Sequence, residues 1–169
     1  MLTLVVITAI ILFVTVELPK KLKQTKPLDN LEQGAYLWLI ATAEKLKSEI
    51  ATVFREKDLT ASQYNVLRIL RGAGREGMCG REIGDRLITK DSDITRMLDR
   101  LEARGLIRRE RQTDDRRYVS AFISDVGLAT LAELDEPIVV WHKQRLGHLS
   151  ESELKSLIRL LKKTGMDEG

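Results

Sequence analysis

The chain of 169 residues carries 28 Lys and Arg against 25 Asp and Glu, a net charge of +3, with 43% hydrophobic and 31% charged residues. That balance excludes a disordered chain and fits one globular domain with a single good core and at most an appended segment. One cysteine, Cys79, excludes an intramolecular disulfide and a multi-cysteine metal site, and the absence of phosphate-loop, serine–histidine–acid and zinc-hydrolase motifs predicts no catalytic residue, metal or cofactor.

Met1–Val16 is uncharged and dense in Val, Ile, Leu and Thr. It is shorter than the ~20 residues of a membrane-spanning helix, and no positive charge precedes it as in a signal peptide. Lys20, Lys21, Lys23 and Lys26 follow, so an inserted segment would leave the rest cytoplasmic. Three readings stand: a start assigned too far upstream, which is preferred, an element packed on a partner subunit, and a short membrane anchor. Residues 1–28 are therefore expected to be an apolar and basic extension, and 29–169 the domain proper.

Pro27-Leu28-Asp29-Asn30 breaks the chain with helix-start signals. A helical pattern then runs from Leu31 to about Arg55, with Leu39, Thr42, Ala43, Leu46, Ile50 and Val53 on one side and Tyr36, Trp38 and Phe54 expected in the core. Thr60 is the expected cap of a second helix whose buried side is Tyr64, Leu67, Ile69 and Leu70. Gly72, Gly74 and Gly77 predict a turn. Cys79-Gly80-Arg81-Glu82 opens a short helix bearing Ile83 and Leu87, with Cys79 where a capping box has Ser or Thr. A thiol there permits a redox-sensor role; a small residue at a tight turn is the plainer reading.

Ile88–Asp91 forms the next turn, with Asp91 or Lys90 near the following cap. Ile94, Met97, Leu98 and Leu101 make one helical stripe, and Asp93, Thr95, Arg96, Asp99 and Arg100 take the other face. Arg96, Arg100 and Arg104 form a row of like charges that an anionic partner would explain. Gly105 stops the helix. Two strand-like runs, Leu106–Arg111 and Tyr118–Ile123, flank Thr113-Asp114-Asp115-Arg116-Arg117, a hairpin with a polar tip. A polar-faced helix followed at once by a basic hairpin is the outline of a winged helix, the helix suited to a DNA major groove and the hairpin to the backbone or minor groove. The basic residues are segregated too. Between Thr60 and Asp125 thirteen of fourteen are Arg, whereas eleven of the other fourteen are Lys. Arg bonds phosphates and guanine edges bidentately, which favours nucleic acid; eleven acids in the same window leave ordinary ion pairs as the alternative.

Ser124-Asp125 begins another helix with Leu128, Leu131 and Leu134 on one side; Pro137 kinks it or starts a new one, and Ile138, Val139, Trp141 and Leu146 continue an apolar face. Ser150 and Glu153 form a capping box for a last helix striped by Leu154, Leu157, Ile158 and Leu161. The fold expected is mainly α with a small β-hairpin wing: a winged helix-turn-helix over about 60–124, flanked by dimerisation helices over about 30–56 and 125–164. Those flanking helices are too apolar to stand alone on a surface, so a second copy should cover them.

From about Leu31 to Lys163 the sequence resembles the MarR family of bacterial transcriptional regulators. The most specific likeness is the wing, where the family's Asp-x-Arg, five residues, Leu-Thr appears as Asp115-Arg116-Arg117, Tyr118–Phe122, Ile123-Ser124. Leu59-Thr60-x-x-Gln63-x-x-Leu67, Glu82-Ile83 with Leu87, Ile94-Thr95-Arg96, and Arg100-Leu101-Glu102-x-x-Gly105-Leu106-Ile107-x-Arg109 complete it. Cys79 for a hydroxyl residue, Gly84 where Ala is common, and the apolar extension depart from the pattern. The resemblance implies a cytoplasmic homodimer that is not an enzyme and binds a pseudo-palindromic double-stranded DNA operator. It places Ser92, Asp93, Thr95 and Arg96 toward base edges and phosphates and Arg117, steadied by Asp115, in the minor groove, with Arg100 and Arg116 as further DNA-binding residues. It further implies a repressor released by a small, often aromatic, ligand, for which Trp38 and His142 are the candidate contacts. The rival readings are a winged helix used only for protein interaction, and redox control through Cys79.

Overall fold

A computed structural model describes residues 30–88, 93–111 and 119–166. The expectations for the apolar extension, for Lys90, Asp91 and Ser92, and for the wing tip with Asp115, Arg116 and Arg117 lie outside the described residues. The chain divides into two compact units between Glu49 and Ile50.

In the first unit Asn30 caps helix α1 (Leu31–Arg55), its Oδ1 accepting the Gln33 N–H at 2.7 Å. Tyr36 and Trp38, expected in the core, are 61% and 37% exposed in the single chain. Residues two apart on a helix do not share a face, so the two aromatics could not both join one buried stripe.

The second unit opens with the last turn of α1, where buried Phe54 stacks on Tyr64 of α2 (Ala61–Ala73) with ring centres 4.5 Å apart. Thr60 caps α2 as expected, and reciprocally: Thr60 Oγ1 accepts the Gln63 N–H at 3.2 Å and Gln63 Oε1 accepts the Thr60 N–H at 2.9 Å. Gly72, expected in the turn, stays within α2, and the turn is confined to the 3-10 segment Gly74–Glu76 and Gly77. Gly77 has φ +65, and a Cβ there would lie 2.4 Å from Cε1 of Phe122, so both backbone and space require glycine.

Gly77 leads into β1 (Met78–Cys79), a two-residue strand with no period for sequence patterning to detect. It pairs antiparallel with β3 (Val119–Ile123), which pairs on its other side with β2 (Ile107–Arg111). The expected hairpin is thus two strands of a three-stranded sheet, order β1-β3-β2. Helices α3 (Gly80–Arg86) and α4 (Ile94–Ala103) come between β1 and β2. Met97, Leu98 and Leu101 of α4 are buried with Ile83, Val66, Leu67 and Leu70 in the core. The cap of α4 is Asp93: its Oδ1 accepts the Arg96 N–H at 3.2 Å, because a capping oxygen serves an N–H two or three residues ahead. Gly105, at φ +68, closes α4 as expected, with Leu106 N–H bonded to Leu101 O at 3.0 Å.

Ser124 caps α5 (Asp125–Leu146), accepting from Gly127 N–H at 3.0 Å while its hydroxyl donates to Gly105 O at 2.6 Å. Pro137 lies inside α5 without ending it. Its buried stripe is Gly127, Leu131, Leu134 and Ile138, whereas Leu128 is exposed. The close approach of Gly127 to the backbone of Leu106 turns that face inward and leaves Leu128 outside. Ser150 and Glu153 box the start of α6 (Glu151–Leu161), which buries no residue within the single chain.

Candidate nucleic-acid interface

Anchored by its apolar stripe, α4 turns Thr95, Arg96 and Arg100 outward. Asp93 does two things there: it caps the helix, and its Oδ2 lies 3.6 Å from Arg96 Nη1, a loose pair that leaves the arginine 71% exposed. Arg96, Met97, Arg100 and Asp93 face Thr60, Ser62 and Gln63 at the start of α2 across a cleft of about 310 Å³. Arg96 and Arg100 thus share the cleft with the Asp93 carboxylate and with the positive end of a 13-residue helix, itself closed by the Thr60–Gln63 capping box.

Of the sequence-predicted residues, Asp93, Arg96 and Arg100 are therefore brought together at the cleft, while Thr95, also exposed, lies on the neighbouring flank of α4 with Asp99 and Glu102. Arg104 is not. It was expected third in the basic row, but its Nη1 donates to Asp58 O at 2.6 Å and its Nη2 to Lys57 O at 2.9 Å, tying the end of α4 to the α1–α2 turn. Two bare carbonyls close by outweigh a position on the helix surface, because hydrogen bonds to a charged group are stronger than neutral ones.

Arg109 is likewise held inside. Glu102 Oε2 accepts from its Nε at 2.8 Å and its Nη2 at 2.6 Å, and Asp99 Oδ1 lies 2.7 Å from Nη2. Hydrogen bonding to Glu102, with Asp99 adding to it, raises the Arg109 guanidinium above its already high ordinary pKa. No local sequence signal marks either arginine, since their partners lie on other elements; the eleven acids in the arginine-rich window were the only hint. Two further bridges fasten α5: Lys57 pairs with Glu133, and Arg71 grips Asp135 with both nitrogens, at 2.8 and 3.1 Å. The Arg71 hydrogen bond holds the Asp135 carboxyl below the usual aspartate range.

Trp38 stands on the first unit and His142 on the second, where the His142 ring meets Trp141 edge-on at 5.3 Å. Cys79 is half-buried at the start of α3, where Glu82 Oε2 accepts its backbone N–H at 2.8 Å and is thereby held below the usual glutamate range. Among the described residues no three His, Cys, Asp or Glu cluster as metal ligands, and no helix is long and apolar enough to cross a membrane.

Comparison with known proteins gives the same outline. Residues 59–119 match the model of the MarR family. The HTH-type transcriptional regulator TtmR of Methylorubrum extorquens is 36% identical over 106 residues, 63% of this chain; the match spans about half (53%) of that relative's length. A MarR transcription factor from Planctomyces limnophilus, known as a crystal structure, is 43% identical, with 80% of this chain and 98% of that one superposing at a TM-score of 0.63. A mutant MarR from E. coli, complexed with operator DNA, is 25% identical and superposes over 83% of this chain and 99% of its own at 0.72. With a winged helix-turn-helix, a basic outward face on α4 and a relative 43% identical over almost its whole length, the chain belongs to the MarR family.

Proposed function

We propose that this chain is a sequence-specific DNA-binding transcriptional regulator, a homodimeric repressor that leaves its operator when a small ligand binds. The observation that carries the reading is the outward face of α4, where exposed Arg96 and Arg100 share a cleft with the start of α2. Thr95 and Arg96 address base edges, Arg100 and the start of α2 the phosphates. Outside the described residues, Ser92 joins the contact to base edges and phosphates, Arg117, steadied by Asp115, enters the minor groove, and Arg116 is a further DNA contact. The operator complex of the E. coli relative supports this reading. Leu157, Ile158 and Leu160, 38%, 54% and 51% exposed on α6, support a second copy as the cover for that face. Trp38 and His142 are the proposed ligand contacts.

Purified protein should retain discrete fragments from a genomic DNA pool, as a dimer by light scattering. On a recovered site, Arg96→Ala should lose ~1–3 kcal/mol of affinity while remaining folded. Retention of all fragments alike, or an Arg96→Ala variant with wild-type affinity, would refute the assignment.

A further inference from the structure

Arg109 belongs to the arginine-rich stretch that marks the DNA-binding segment, yet its side chain is only 25% exposed and turned toward α4. Glu102 uses both oxygens on it. Oε1 accepts the Arg109 backbone N–H at 3.0 Å, while Oε2 accepts Nε and Nη2 at 2.8 and 2.6 Å. Asp99, one turn earlier on α4, closes on the same Nη2 at 2.7 Å.

The backbone contact is the informative one. In the order β1-β3-β2 the strand β2 is an edge, so an N–H facing away from β3 has no strand to bond. Glu102 supplies the missing acceptor, and the guanidinium fork then fixes the direction as well as the distance of the contact. A point charge would let β2 pivot about α4; a carboxylate bonded to both the backbone and the side chain of one residue does not. β2 follows α4 and pairs with β3 as the first strand of the hairpin, so whatever orients β2 orients that hairpin.

We propose that Glu102, with Asp99, sets the angle of the wing against the recognition helix, and that Arg109 is a positioning residue and not a DNA contact. The inference rests on the DNA-binding reading above. The two assignments of Arg109 predict opposite signs. As a restrained DNA contact, Arg109 would be freed by removing Glu102, and binding would tighten with the loss of a negative charge. As a positioning residue, it loses its anchor and binding weakens.

The test combines Glu102→Gln, Glu102→Ala and Arg109→Gln with Arg117→Ala in double-mutant cycles on a recovered DNA site, and follows exchange of the Arg109 amide in the free protein. Glu102→Gln and Arg109→Gln should each weaken binding roughly tenfold and be far from additive with one another. Arg117→Ala should matter less in either background than in the wild type, because the wing is already misplaced. A mere loss of stability would leave the Arg117→Ala effect undiminished. Without DNA, Glu102→Ala should speed Arg109 amide exchange; if that variant does not fold, Glu102→Leu, which likewise has no acceptor but keeps the side-chain bulk, carries the comparison. Tighter binding by the Glu102 variants, full additivity with Arg117→Ala, or unchanged amide exchange each overturns the proposal. A wild type that selects no DNA, its Arg109 amide still protected, overturns the functional reading and the wing role with it, and traces the failure to DNA binding and not to the clamp.

Discussion

Gly127→Ala measures how closely α5 must approach the end of α4. A Cβ at Gly127 would stand 2.2 Å from the carbonyl oxygen of Leu106 and 2.8 Å from Cγ1 of Ile123. Carbon–oxygen contacts rest near ~3.3 Å or beyond, so the first turn of α5 would have to withdraw by roughly 1 Å. That movement falls on two hydrogen bonds, Ser124 N–H to Leu106 O at 3.1 Å and Ser124 hydroxyl to Gly105 O at 2.6 Å. Weakening them costs about 1–2 kcal/mol, and the overpacking about 1–3 kcal/mol. Better helix propensity returns about 1 kcal/mol. A net destabilisation of ~1–4 kcal/mol is expected, read as a lower urea midpoint with an unchanged slope at one fixed protein concentration. An alanine variant as stable as the wild type would refute the tight approach and the cap geometry derived from it.

Gly84→Ala is the contrasting case: a Cβ there would meet Ile94 Cγ1 at 3.6 Å, ordinary contact, so the variant should gain up to about 1 kcal/mol and melt a few degrees higher in a thermal scan. Arg104→Ala should lower stability by about 1–3 kcal/mol through the bonds lost to Asp58 O and Lys57 O, yet leave the salt dependence of DNA binding unchanged; a slope reduced by one phosphate would make it a contact after all. Because Arg71 holds the Asp135 carboxyl down, the folded protein takes up that proton less readily than the unfolded chain, and the pair stabilises fully above the ordinary aspartate range. With side chains 34% and 49% exposed, its worth is at most ~1 kcal/mol. Titrated unfolding should therefore show a small gap between wild type and Asp135→Asn at neutral pH that fades as the pH falls past the ordinary aspartate range and through the lowered folded value; a gap that widens on acidification would contradict the sign.

The helix starts were the most legible feature of the sequence. Thr60 and Ser150 cap where expected, and Asn30 and Ser124 cap the helices expected to start beside them, because a cap is settled by side chains within three residues of one another. What escaped was decided at long range. β1 is a strand only because residues more than forty positions away pair with it, Met78 with Ala121 and Cys79 with Ser120. The inward face of α5 follows from the contact of Gly127 with Leu106, and the duty of Arg104 from carbonyls 46 and 47 residues upstream. Placement of Asp93, Thr95, Arg96 and Arg100 followed from periodicity, since the stripe that buries Met97, Leu98 and Leu101 leaves them outside.

The segregation of arginine was a mixed signal. Arg71, Arg104 and Arg109 bind acids or carbonyls of this chain, and Arg68 and Arg108 lie over the rings of Tyr64 and Phe122, at 5.9 and 4.4 Å. A planar, forked cation is as useful for joining elements as for reading DNA, so counting residue types cannot separate building from reading. Position can. At about 100° per residue, α4 is divided into three sectors. Ile94, Met97, Leu98 and Leu101 face the core, Asp99 and Glu102 face the root of the wing, and Arg96 and Arg100 face the cleft beside α2. Within α4 Arg96 and Arg100 are cancelled by Asp99 and Glu102, so the helix's net charge says nothing about its partner. Separated onto different flanks the two pairs do different work: the acidic flank fastens the helix to its own sheet, and the basic flank is left presented to something outside the fold.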